Sequence, residues 1–272
     1  FDLVFQDCAL RGGRGGTAQA GLFSPPGGVG GTALQLKGRA QINLSSSSAV
    51  GGVGGFSTSG GLGGTGVLIR AATLSDVPTL FAYGSTIEGG EGGSTFDLFE
   101  GSGGDGLTMI GLSTEARLQA CDVFGGVPGS GGFIPGEPGV PFSGSGTPTL
   151  VDGEPCDLVA PNHVTDGQAW EIQAEDVGAG GEASLLVAFR PAFRFAPAFE
   201  RPLLVRWPAP DAQRYNAVNA GPLGATTYFF GPTPPPTGED SLIVWTQMIC
   251  TDANGASRFS AARAIVLLAA GL

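Results

Sequence analysis

Lysine is almost missing from this chain of 272 residues: Lys37 is the one lysine among 13 basic side chains. No basic cluster exists, and 24 acidic residues leave a formal net charge of -11. That balance argues against nucleic acid as a partner, because such binding rests on neutralised phosphates. Histidine occurs once, as His163 in APNHVTDGQ. With no second histidine and no motif around it, a zinc site or a Ser-His-Asp triad finds no support, and a solvated loop residue is expected. No apolar run is long enough to cross a bilayer; AIVLLAAGL (264–272) is too short and reads as a last core strand. Charged residues are few at 14%, yet hydrophobic ones reach 42%, so the chain can build cores and is not simply disordered.

Glycine is what the chain has in excess. Residues 1–150 hold 38 of the 49 glycines, which leaves 11 for the remainder. So sharp a shift marks a boundary between two architectures. Closing glycine pairs begin at Gly12, Gly51, Gly89 and Gly125, spaced by 39, 38 and 36 residues. Within each unit short apolar strands recur in phase: Leu34/Leu36, Val67/Ile69 and Leu107/Met109, then Ile42/Leu44, Leu80/Phe81 and Leu118/Ala120. A last short strand ends at Leu10, Val50, Ile87 or Val123. Three short strands per repeat predict a parallel β-helix over residues 1–126. Its glycines are read as corner chemistry, with residues 51–64 and 89–104 as excursions from one corner. Cys8 and Cys121 share a phase with Ser85 and, in the second repeat, Ser48, which predicts a column of small buried residues.

The GG-x-G-L pattern, followed by a strand, a Cys/Ser strand and GG-x-GG, resembles right-handed β-helices of the pectate-lyase-like group. It is similar to the glycine-rich versions in large secreted proteins of planctomycete-like bacteria. That resemblance implies an extracellular protein closed by a short β domain ending in an apolar strand such as IVLLAAGL (265–272).

Residues 127–148 are dominated by Gly, Pro and Ser and are expected to be a linker. Residues 149–272 carry strand candidates at intervals typical of an immunoglobulin-like β-sandwich, among them 156–160, 169–175, 183–190, 203–207, 226–230, 241–250 and 257–268. The whole is therefore expected to be all-β: a right-handed parallel β-helix followed by a small sandwich. Asn254-Gly255 signals a hairpin. Cys156 and Cys250 either pair across the sandwich in an oxidising compartment or remain two buried thiols. Trp170, Trp207 and Trp245 are expected in the core.

Chemistry is harder to find. Carboxylates in the repeat region, such as Asp76, Glu88, Glu91, Asp97, Glu100, Asp105, Glu115 and Asp122, fall at different phases and form no stacked acid pair. The nearest calcium-repeat match, GGSTFDLF (92–99), has no tandem copy, and GGVGGF (51–56) is not followed by a phosphate-binding Gly-Lys-Ser/Thr. No catalytic residue, metal or cofactor is implied. The chain opens directly as a strand, so Phe1, Leu3, Val4 and Phe5 are expected to form an uncapped first coil. Two explanations stay open: the coil stacks on another copy to give a homopolymer, or further coils precede Phe1. The leading expectation is an extracellular structural protein, a subunit of a surface filament or layer. The alternative is a carbohydrate-binding or polysaccharide-degrading surface protein presenting an aromatic row such as Phe81, Tyr83, Phe96 and Phe99.

Overall fold

The computed structural model describes residues 2–18, 25–151, 156–196, 201–206, 208, 210–232, 239–260 and 262–269. The fold is all-β in two units, Phe1–Asp152 and Gly153–Leu272.

Unit one is a parallel β-solenoid. Its first turn contributes β1 (Asp2–Gln6), β2 (Ala9–Arg11) and β3 (Leu34–Lys37). The second adds β4 (Gln41–Ser45), β5 (Ser48–Val50), β6 (Ser57–Ser59) and β7 (Val67–Arg70). The third holds β8 (Thr79–Tyr83), β9 (Thr86–Glu88), β10 (Thr95–Phe99) and β11 (Leu107–Ile110). The fourth holds β12 (Glu115–Gln119), β13 (Asp122–Phe124) and β14 (Phe142–Gly144), after which β15 (Thr149–Leu150) begins another pass. Like strands of successive turns pair in parallel, giving faces ordered β1-β4-β8-β12-β15, β2-β5-β9-β13 and β3-β7-β11-β14.

These faces enclose the apolar core because alternate residues of each strand point inward and stack in register. One column runs Leu3, Ile42, Leu80, Ala116; another runs Phe5, Leu44, Ala82, Leu118. The opposing face supplies Leu36, Ile69 and Met109. Ile42, Leu44, Leu80, Leu36, Ile69 and Met109 are all buried, each worth about 1.5–3 kcal/mol of burial.

A sharp corner between the first two faces recurs once per turn. Asp7, Ser46, Gly84 and Ala120 occupy it with φ of 50, 47, 52 and 47°. Immediately after it stand Cys8, Ser47, Ser85 and Cys121. The Ser47 hydroxyl accepts from the Cys8 N–H, and the Ser85 hydroxyl from the Ser47 N–H, both at 3.1 Å. The expected column of small residues thus runs through Ser47 and not Ser48. Four consecutive serines, 45–48, carry no marker of register, and Ala9 pairs with Ser48, which puts Ser47 opposite Cys8.

Residues 127–148, expected as a linker, belong to the solenoid. They pair with the third turn through Ile134 and β14 and run on into β15, which pairs β12. Their Gly and Pro content reflects the lattice described below.

Unit two comprises β16 (Asp157–Val159), β17 (His163–Thr165), β18 (Trp170–Glu175), β19 (Glu182–Ala188), β20 (Pro191–Ala196), β21 (Arg201–Val205), β22 (Ala212–Asn219), β23 (Thr226–Phe230), β24 (Ser241–Thr251), β25 (Ser257–Phe259) and β26 (Arg263–Leu268). One sheet is ordered β16-β18-β23 and another β17-β26-β24-β19-β22, with β25 on β24. Ile172 and Tyr228 of the first sheet share an apolar core with Leu185, Met248 and Ile265 of the second. Cys156 and Cys250 are joined as a disulfide across a separation of 94 residues.

Sequence reading missed β22, whose Ala-Gln-Arg-Tyr-Asn-Ala-Val-Asn shows little apolar alternation because it is a largely exposed edge strand. His163 opens a strand opposite Val266 instead of lying in a loop. The expected strand 257–268 is two strands, because Ser260 turns inward and its hydroxyl accepts from the Met248 N–H. Trp170 stacks on Phe230 at 4.2 Å and Trp245 packs on a second small core; Trp207 lies outside the described residues.

Buried Tyr228 faces the carbonyls of Ala183 and Asn216 with its hydroxyl, 2.9 Å from the latter. Burial raises its pKa above the ordinary tyrosine value of 10.0.

Two predictions follow from strain and from burial. Ala120→Gly relieves a left-handed backbone and should raise unit-one stability by about 1 kcal/mol in urea unfolding, since an L side chain costs that much there. Tyr228→Phe should cost unit two roughly 1–2 kcal/mol at neutral pH. With the folded pKa raised, the tyrosine's contribution is complete below pH 10.0 and fades as pH climbs through the folded value. The gap between wild type and Tyr228→Phe should therefore narrow in alkali, and a constant gap would contradict this assignment.

Candidate functional site

The most distinctive structure in unit one is built from backbone. Between the second and third faces of each later turn the chain runs out in a glycine segment, turns at a tip, and runs back in another; between β2 and β3 the same two glycine segments are present. Outgoing segments cover 12–16, 51–55, 89–93 and 125–129; returning ones cover 27–31, 60–64, 100–104 and 135–139. β6 and β10 pair at the tip. The result is a slab two chains thick, continuous with the three-faced core. Residues 51–64 and 89–104 thus leave the core between its second and third faces, as expected of excursions from a corner, and they stack on one another as an ordered slab.

Apart from Glu100 and the prolines of the fourth turn, the segments repeat Gly-Gly-X with a period of three, and each position of the triplet has its own direction. The first glycine donates its N–H to the X carbonyl of the next turn in the same layer: Gly15 to Val53, Gly54 to Glu91 and Gly92 to Val127, at 2.8–2.9 Å. The second glycine donates across the slab: Gly28 to Gly16, Gly55 to Gly28, Gly61 to Gly55 and Gly93 to Gly61, at 2.7–2.9 Å. The X side chain points outward. A recurrence every third residue, with backbone groups radiating to neighbours, is the geometry of polyproline II-type helices. None of Gly51, Gly52, Gly54 and Gly55 has a positive φ. These glycines are required by space: a Cβ on Gly52, Gly55, Gly90 or Gly93 would come under 3.0 Å from backbone atoms of adjacent segments.

Only X residues give the slab chemical character. One column reads Arg14, Val53, Glu91, Val127 and the other Val29, Leu62, Ser102, Glu137. Charge, sign and size change from turn to turn, so neither face repeats a ligand-binding group. Carboxylates here serve neighbouring backbone: Asp105 accepts from the Val140 N–H at 3.1 Å, and Glu100 from the Gly132 N–H at 3.0 Å. Among the described residues no three His, Cys, Asp or Glu side chains gather as a metal site would require. An open depression of about 310 Å³ at the fourth turn is lined by Phe142, Ser143, Gly144, Gly146, Thr147, Pro148 and Leu150, none of them charged.

The expected assembly residues fall at the edge of the first turn. Phe1 lies outside the described residues. Leu3 is 43% exposed although its column is otherwise buried, because β1 is paired on one side alone, with β4. Val4 and Phe5 are half-buried, and Phe5 packs on the core. The aromatic row does not form. Phe81 and Tyr83 are buried on β8, whereas Phe96 and Phe99 are exposed on β10 near the tip, with Phe56 and Phe96 rings 5.4 Å apart.

No protein-family model and no curated protein matches this chain.

The lattice predicts a sharp contrast between adjacent residues. Gly90→Ala should destabilise unit one by about 3 kcal/mol or more, as overpacking in a rigid interior does. Glu91→Ala should change stability by less than about 0.5 kcal/mol. Equal effects in chemical unfolding would show that the close approach of backbones does not hold the slab together.

Proposed function

We propose that this chain is an extracellular structural module, a stiff arm of a surface assembly that engages a neighbour through the edge of its first turn. The observation that carries this reading is the slab. Its interior is glycine backbone held by hydrogen bonds, and its side chains are confined to outward positions of mixed chemistry. Such a body resists bending and offers no converging groups for a reaction. The Cys156–Cys250 disulfide supports an oxidising compartment. Half-exposed Leu3 on an unpaired strand edge supports contact there, with Val4 and Phe5 beside it. Unit two is in this reading an immunoglobulin-like sandwich, supported by the shared core of its two larger sheets and the parallel β17–β26 pair. Unit one is taken as a right-handed, pectate-lyase-like core to which the slab has been added. Carbohydrate binding is a second reading, favoured by exposed Phe56, Phe96, Leu98 and Phe99 at the tip.

Surface proteolysis of intact cells, combined with alkylation of the extracted protein, tests the location. Cys156 and Cys250 should resist alkylation without reductant, while Cys8 and Cys121 react on unfolding. Leu3→Asp should lower the cell-bound fraction at unchanged thermal stability. A protein shielded from protease with all four thiols reactive would overturn the proposal. Loss of glycan binding on Phe96→Ala, with Leu3→Asp silent, would favour the second reading.

A further inference from the structure

The hydrogen bonds within each layer of the slab all point one way. First-glycine N–H groups aim toward the fourth turn, and X carbonyls aim toward the first. The fourth turn would therefore end in a row of unanswered donors, and the first turn in a row of unanswered acceptors.

Four donor columns can be followed along the stack. The first runs Gly15, Gly54, Gly92, donating to Val53, Glu91 and Val127. A second runs Gly27, Gly60, Glu100, donating to Ser59, Phe99 and Ile134. In a third, Gly30, Gly63 and Gly103 donate to Leu62, Ser102 and Glu137, and in the last Ala33, Gly66 and Gly106 donate to Thr65, Asp105 and Val140. The next residues in these four columns are Pro128, Pro135, Pro138 and Pro141. Every one of the four lacks an N–H and fits the backbone of such a helix. Gly125 and Gly131 end two flanking columns and keep theirs. No donor position of these columns in the first three turns holds a proline.

The first turn is the reverse. Arg14, Pro26, Val29 and Thr32 occupy the acceptor positions of the same four columns, and no described backbone N–H is bonded to their carbonyls.

We propose that the two ends of the slab are unequal by construction. The fourth turn is closed by proline, and the first is a docking surface for one further Gly-Gly-X edge with free N–H donors at its first glycines. The occupant is defined by hydrogen-bond complementarity, since the second, third and fourth turns each bind such an edge on the same carbonyls. A wild-type copy cannot supply it, because its own outer edge is proline. Copies of this chain are therefore not joined head to tail through this lattice, and the occupant is a Gly-Gly-X edge that keeps these four N–H groups. Pro at an edge to stop unwanted pairing is a familiar device in sheets; here it blocks growth in one direction only.

The test uses the full chain with Pro128→Gly, Pro135→Gly, Pro138→Gly and Pro141→Gly combined, which restores four donors. In sedimentation velocity, wild type should keep one mass as concentration rises, while the variant should grow into head-to-tail oligomers. Wild type added to the variant should shorten those oligomers, because it docks by its first turn and ends the chain. Amide exchange at Gly92 and Gly103 reports whether the lattice is intact. If the fourfold variant has lost it, Pro138→Gly alone, with one donor restored, is scored the same way. Wild type polymerising through its fourth turn, an intact variant that stays monomeric, or oligomers that wild type does not shorten would each overturn the proposal.

Discussion

A carbonyl oxygen of one glycine segment occupies the place where a Cβ of the next would sit, and unit one depends on that single fact. Because the chains approach so closely, every second glycine can donate across the slab and every first glycine along it. A peptide group buried without a partner would be costly, and the Gly-Gly-X triplet answers this by giving each inward N–H an acceptor. The apolar three-faced core and the slab are two solutions to the same stacking problem. One places side chains in register, the other removes them. The shared turn length of 39, 38 and 36 residues keeps both in step.

The strand columns were legible from sequence because apolar pairs such as Ile42/Leu44 and Leu80/Phe81 recur at that period. The slab was not, because paired glycines read first as turn chemistry requiring positive φ. The discriminating signal was present: Gly12, Gly15 and Gly51, Gly54 recur at three, a spacing that turns do not demand and a three-residue helix does. Pro135, Pro138 and Pro141 show the same spacing, yet a high Gly and Pro content reads most simply as a linker. Register within Ser45–Ser48 was hidden by identical residues. In unit two the buried strands were visible in β19 and β24, while β22, polar and at an edge, carried no pattern to find. Leu3 and Phe5 were identified at the edge of the solenoid, but the acceptor row beside them is made of carbonyls, and no residue type announces those.

The open edge of β1 and the prolines of the fourth turn belong together. Parallel solenoids carry a direction, and a direction makes their ends chemically different. One end here has apolar Leu3 and backbone acceptors, the other has its donors removed. An assembly built from such parts has a definite order of attachment, which side-chain contacts alone need not impose.

The glycine slab also changes how unit one should respond to temperature. Unfolding a conventional core exposes apolar surface and raises the heat capacity, whereas exposing peptide groups lowers it. Residues 51–55, 60–64 and 89–93 bury mostly peptide groups, so each contributes little to the heat-capacity increment. Unit one should have a flatter stability curve than a domain of equal length with a side-chain core. Its resistance to cold should then match its resistance to heat more closely, a property conferred by the absence of side chains.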